Sequence, residues 1–99
     1  MLFLITMVHP PELCFARKEY NESAKQWFNN MKDSAEKHGI KVNGSWICPV
    51  EHTLYFMLES NDFKAISGFL SPPMLTHHKG KISPLITLEQ AFEVIQPLE

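Results

Sequence analysis

The sequence predicts an α+β domain of β-α-β-β-α-β order, the ferredoxin-like pattern, with a short helix appended at the C-terminal end. Three observations carry that expectation. Two apolar runs, Leu2 to Val8 and Thr53 to Leu58, have the length and the aromatic and branched content of central strands. Tyr20, Ala24, Trp27, Phe28, Met31 and Ala35 recur at helical spacing. Proline and glycine stand where such elements must end.

The first strand stops against Pro10-Pro11. The stripe from Tyr20 to Ala35 is about 100° wide, so the first helix packs one face on a neighbour. Its wet side carries opposite charges four apart, Lys18/Glu22, Lys32/Glu36 and Asp33/Lys37. Gly39, after His38, supplies the left-handed residue that ends it. Ile40, Val42, Gly44, Trp46 and Cys48 alternate with Lys41, Asn43 and Ser45, which predicts a half-buried second strand. Pro49-Val50-Glu51 turns the chain into the strand from Thr53 to Leu58. Asn61 or Asp62 caps a second helix from Phe63 to about Leu70, closed by Pro72-Pro73. A loop from Met74 to Gly80 leads to a last strand, Lys81 to Ile86. Pro84 removes a ladder donor and so assigns that strand to a sheet edge. Thr87-Leu88-Glu89-Gln90 has the capping-box pattern and opens a terminal helix carrying Leu88, Ala91, Phe92 and Ile95. The closing Leu98-Glu99 carries no weight in the reading.

Ninety-nine residues with 44% apolar content describe a single domain over 1–99 and exclude a disordered tail. Nine basic against eleven acidic residues, a net charge of -2, give no electrostatic case for nucleic acid or an anionic membrane. Leu2 to Val8 has no Lys or Arg before it and is too short to span a bilayer, so it reads as neither signal peptide nor anchor. The expectation is a cytoplasmic protein in which Cys14 and Cys48 are reduced thiols.

Right-handed crossovers give the strand order 4-1-3-2, with both helices on one face of the sheet. The two central strands are nevertheless apolar on both faces. Leu2, Leu4 and Val8 oppose Phe3, Ile5 and Met7, and Tyr55 and Met57 oppose Leu54, Phe56 and Leu58. Leaving four or five large side chains wet forfeits about 1.5–3 kcal/mol each, comparable with the stability of a small domain. The terminal helix can cover part of that face, but a homodimer, sheet against sheet, covers it more completely and is therefore expected. The chain resembles the dimeric α+β barrel proteins, a group that includes muconolactone-isomerase-like, stress-responsive barrel and antibiotic-biosynthesis-monooxygenase-like domains. The resemblance is carried by Met1-Leu2-Phe3-Leu4-Ile5, by His38-Gly39-Ile40-Lys41-Val42-Asn43-Gly44-Ser45-Trp46, and by Ile82-Ser83-Pro84-Leu85. It is nearest to small members of unknown function, and it implies fold and dimerisation rather than chemistry.

The topology sorts the reactive side chains by end of the sheet. With the end of the first strand called the top, His9, Cys14, Cys48, His52, His77 and His78 all fall there, and His38 falls at the bottom as a helix-capping cation. Imidazole and thiolate together select zinc, copper, nickel or iron, provided that three or four donors converge. His9, His52 and one of His77 or His78 form the expected core of a metal site, with Cys14, Cys48, Glu12 or Glu51 as additions. Adjacent residues in an extended loop point apart, so His77 and His78 are not expected to share one ion.

The primary expectation is thus a homodimer that binds a small molecule, with a metal ion at the top rim. An alternative is catalysis between sheet and helices, where Trp27, Trp46, Tyr20 and Tyr55 would line an apolar pocket with a histidine at its mouth. The barrel monooxygenases that the chain resembles use such pockets for oxygenase or isomerase chemistry. Their Asn on the first strand is absent, since Leu2 to Val8 offers only Thr6. A third reading is a non-catalytic dimeric interaction module.

Overall fold

A computed structural model describes residues 1–72 and 74–95, without the side chain of Ile95. Pro73, expected to help close the second helix, the Ile95 side chain and the final Leu98-Glu99 lie outside the described residues. The elements run β1 (Leu2–Val8), α1 (Lys18–Lys37), β2 (Lys41–Cys48), β3 (Thr53–Glu59), α2 (Phe63–Phe69), α3 (Met74–His77), β4 (Lys79–Leu85) and α4 (Leu88–Ile95), with a 3-10 turn at Pro11–Leu13 after β1. The four strands form one antiparallel sheet in the order β2-β3-β1-β4. This is the α+β, ferredoxin-like arrangement that the sequence predicts. No helix among the described residues is long and apolar enough to cross a membrane.

Local chemistry ends the elements where expected. Gly39 takes φ +66° and lets the chain leave α1. The Asp62 carboxylate accepts the Lys64 amide at 2.9 Å and caps α2. Thr87 and Gln90 form a reciprocal capping box, 3.0 and 2.8 Å, at the head of α4. Pro84 sits in β4, which pairs only with β1 and is an edge strand.

The core lies between α1, α2 and one face of the sheet. Phe3, Ile5 and Met7 of β1 and Leu54, Phe56 and Leu58 of β3 are all buried there. Trp27 of α1 packs edge-on against Phe56 and Phe69, with ring centroids 5.8 and 5.4 Å away. Ile66, Phe69, Leu70 and Met74 complete the layer. Phe28, expected in the buried stripe, stands at its margin and is partly exposed.

Two segments depart from the sequence reading. Met74 to His77, expected as loop, forms one helical turn that anchors Met74 in the core, and β4 begins earlier than expected, at Lys79. In β2 the pairing register shifts between Val42 and Gly44. Val42 is opposite Leu58, on the helix-covered face, whereas Gly44 and Trp46 are opposite Met57 and Tyr55, on the open face. One extra residue reverses every later side chain, so the simple alternation from Ile40 to Cys48 does not hold. Trp46 is 58% exposed on the open face, and its indole lies over Gly44, where an added Cβ would collide with the ring.

That contact is testable. Gly44→Ala must displace the Trp46 ring, but the ring is exposed and can swing away, so the stability cost should stay below about 1 kcal/mol. In a Trp27→Phe background, where Trp46 is the single tryptophan, the tryptophan emission excited at the red edge of absorption should shift while the urea midpoint barely moves. An unchanged emission would show that the ring does not rest on Gly44.

Candidate metal centre

β1 delivers His9 to the middle of the top edge, where it is 3% exposed. The chain then makes the 3-10 turn, and Cys14 follows as its C-cap, with its amide bonded to the Pro11 carbonyl at 3.2 Å. Arg17 holds the turn by donating Nε to the Pro11 carbonyl at 3.0 Å, and the Ala16 amide points at Cys14 Sγ at 3.5 Å. His52 arrives from the β2–β3 connection in the left-handed region, φ 50°, a conformation that costs a non-glycine residue about 1–2 kcal/mol. Its carbonyl accepts the His9 amide at 3.1 Å, which ties the two backbones together. The result is that His9, Cys14 and His52 each offer a ligand atom, and these atoms lie within 4.8 Å of one another.

Hydrogen bonds behind His9 fix the tautomers. His78 Nδ1 is 2.8 Å from the Met74 carbonyl, which only accepts, so that nitrogen carries the proton. Neutral His78 therefore presents a lone pair at Nε2, and His9 Nδ1 donates to it at 3.0 Å. Neutral His9 is left with a bare lone pair at Nε2. That atom is buried and has no hydrogen-bond partner, the one such side-chain nitrogen or oxygen among the described residues. Phe15 stacks on His9 at 5.8 Å and meets His78 edge-on at 5.0 Å, closing one side of the cluster. The Asn21 amide holds Phe15 by its carbonyl at 3.1 Å.

The other expected residues lie elsewhere. His77 faces Tyr20, at 4.9 Å between rings, and Phe15, at 6.3 Å. Cys48, at the end of the outer strand β2, is a free thiol outside the converging group. The four aromatics expected around one pocket are divided among three places. Trp27 is in the core, Tyr20 is at the top beside His77, and Trp46 and Tyr55 are on the open sheet face. Tyr55 hydrogen-bonds Glu51 at 3.3 Å, and desolvation, aided by that carboxylate, raises its pKa. A cavity of about 510 Å³ lies at the opposite end of the sheet, walled by Leu2, Lys41, Ser60, Thr87 and Gln90 among others. His38 bonds the Ser34 carbonyl at 2.8 Å at the end of α1, the capping role expected of it. Sequence reasoning missed Phe15 as the stacking partner of His9 and missed the Met74 carbonyl as the base of the relay. The first follows Cys14 directly, but a backbone acceptor leaves no trace in residue identity.

Burial lowers the pKa of His9, and the neighbouring His78, His52 and His77 lower it further. Burial also lowers that of His78, against a smaller opposing effect of the Met74 carbonyl. Both rings are therefore neutral at pH 7 in the folded chain. Because their folded pKa values lie below the unfolded value of about 6.5, the unfolded chain binds more protons in the window beneath it. Their contribution to stability is complete above about pH 6.5 and is lost as pH falls through the folded values. Urea unfolding of the metal-free protein should show a midpoint that is level from pH 8 to 7 and declines towards pH 5. His9→Gln should flatten that decline, and a decline unchanged in this variant would contradict the assignment to the histidine pair.

No curated protein matches this sequence. Residues 1–99 match the model of a family described as a domain of unknown function, DUF3303. The match spans the whole chain, and the protein belongs to that family.

Proposed function

We propose that the protein binds one transition-metal ion at the top of its sheet through His9, Cys14 and His52, with water or a small molecule in the remaining position. The observation that carries this reading is the approach of the three donor atoms to within 4.8 Å of one another. In a tetrahedral site with bonds of about 2.0–2.3 Å, donors stand roughly 3.3–3.8 Å apart. The widest separation therefore closes by about an ångström, which side-chain rotation supplies. Two imidazoles and one thiolate form a borderline donor set that suits zinc or copper above harder ions, and we assign zinc. Three protein donors leave a place for an exogenous ligand, the arrangement of catalytic rather than purely structural zinc. The bare Nε2 of His9 supports the same reading, since a metal would satisfy a buried lone pair that nothing else meets. His78 is then the orienting partner that metal-bound histidines require. A reducing cytoplasm suits a free cysteine in this role.

Protein prepared without a histidine tag should take up about one equivalent of zinc per chain. Cobalt substituted for zinc should give a thiolate charge-transfer band that is absent in Cys14→Ser. His9→Ala, Cys14→Ser and His52→Gly should each abolish uptake, the last with the metal-free fold retained because glycine accepts φ 50°. His78→Ala should weaken binding about 10–100-fold. Cys48→Ser and His77→Ala should bind as the unaltered protein does. Uptake below about a tenth of an equivalent for zinc, copper and cobalt alike would overturn the proposal.

A further inference from the structure

Helix α4 has an apolar face, yet none of its described side chains is buried. Leu88, Ala91 and Phe92 recur at offsets of three and four on one face, and the first and last are 81% and 66% exposed. Ile86, at the exit from β4, is also exposed at 56%. The chain extends 56 Å along its longest axis against 30 and 18 Å along the others, as expected where a helix stands off the body. The radius of gyration of 15.6 Å likewise exceeds the value of about 13 Å for a compact chain of this length.

Among the described residues, a second apolar surface is also without a covering layer. It is the face of the sheet opposite the helices, where Leu2, Leu4, Tyr55, Met57 and Trp46 lie side by side. The register sets Lys79 and Lys81 of β4 and Lys41 of β2 on this face with Glu59, and Glu51 reaches its top edge through Tyr55, so that basic residues lead along β4. Helix α4 carries the complementary charge, Glu89 and Glu93 with no basic residue. Its eight residues span about 12 Å, enough to cross two or three strands.

We infer that α4 is an arm that seats on the open sheet face of a second copy of this chain, its apolar side on the central strands and Glu89 and Glu93 beside the partner's Lys79 and Lys81. One chain carries both halves of the contact, so a two-fold pair satisfies each twice. Area argues for the arm as well. The sheet face measures about 19 by 24 Å in outline, on the order of 450 Å², against roughly 800 Å² per partner in a standard interface. The arm contributes the difference. The inference goes beyond the metal site and does not depend on it.

Sedimentation equilibrium of the full chain, from about 1 to 100 μM and with chelator present, should show a dimer. Phe92→Asp and Leu88→Asp alter residues that are exposed in the subunit, so the far-ultraviolet spectrum should persist while the dissociation constant rises at least about tenfold. Glu89→Lys with Glu93→Lys should weaken the dimer, and so should Lys79→Glu with Lys81→Glu. Mixing the two variants or combining all four changes should restore it. A monomer throughout the range would overturn the inference. So would a dimer indifferent to Phe92→Asp, or charge reversals that weaken separately and fail to rescue together, because the arm would then be seated elsewhere.

Discussion

The double pairing of β1 is the constraint on which the rest of the molecule depends. β1 is hydrogen-bonded to β3 on one side and to β4 on the other, so its register fixes both neighbours. Val8 stands opposite Thr53 and Lys79, and the residues on either side of those positions are His9, His52 and His78. Antiparallel pairing thus brings three imidazoles, separated by up to 69 positions in the chain, to one edge without any local motif. Neighbouring strands are about 4.8 Å apart, the spacing at which adjacent rings touch. The centroid separations of 5.4 Å for His9–His52 and 4.9 Å for His9–His78 follow from this. Slipping β1 by one residue would turn Phe3, Ile5 and Met7 out of the core and break up the cluster in the same step.

This constraint explains what was legible in the sequence. Elements set by apolar periodicity and by punctuation could be read, as β1 shows down to its last residue, and so could the capping box of α4 and the edge position of β4. The gathering of histidines at the top followed from topology, because strand direction alone decides which end each loop occupies. The bulge at Val42/Gly44 was not legible. Alternation in β2 looks regular, and an inserted residue changes its meaning without changing its letters. The division of labour among the histidines was equally hidden. That His9 is a ligand candidate and His78 its support depends on a bond to the Met74 carbonyl, and thus on the helical turn that reading the segment as loop overlooked.

The failed pocket of aromatics has the same physical origin. Trp46 and Trp27 both look like core residues by composition, yet the bulge puts one on the open face while the helix stripe puts the other in the core. A large indole on the open face is costly in an isolated subunit, as are Leu88 and Phe92 on the arm, because each leaves apolar area in water at about 25 cal/mol per Å². These costs lie on the open sheet face and on the arm rather than in the histidine cluster, so the proposed assembly and the proposed metal site can be tested apart.

At the top of the sheet the fold has accepted two costs whose benefit lies outside packing. His52 is held at φ 50°, in a turn that glycine or asparagine would occupy more easily. His9 is buried with a lone pair that no protein group meets. A core selected for stability alone would replace both, since an apolar residue at position 9 removes the unsatisfied nitrogen and a glycine at position 52 removes the strain. The two costs converge on the same few ångströms as the Cys14 thiol. Burial keeps the His9 and His78 rings neutral, which is the form a cation binds. Protons and the proposed metal would therefore compete for one buried nitrogen. The same desolvation that weakens the fold in acid keeps both rings in the form that the proposed ion would require at neutral pH.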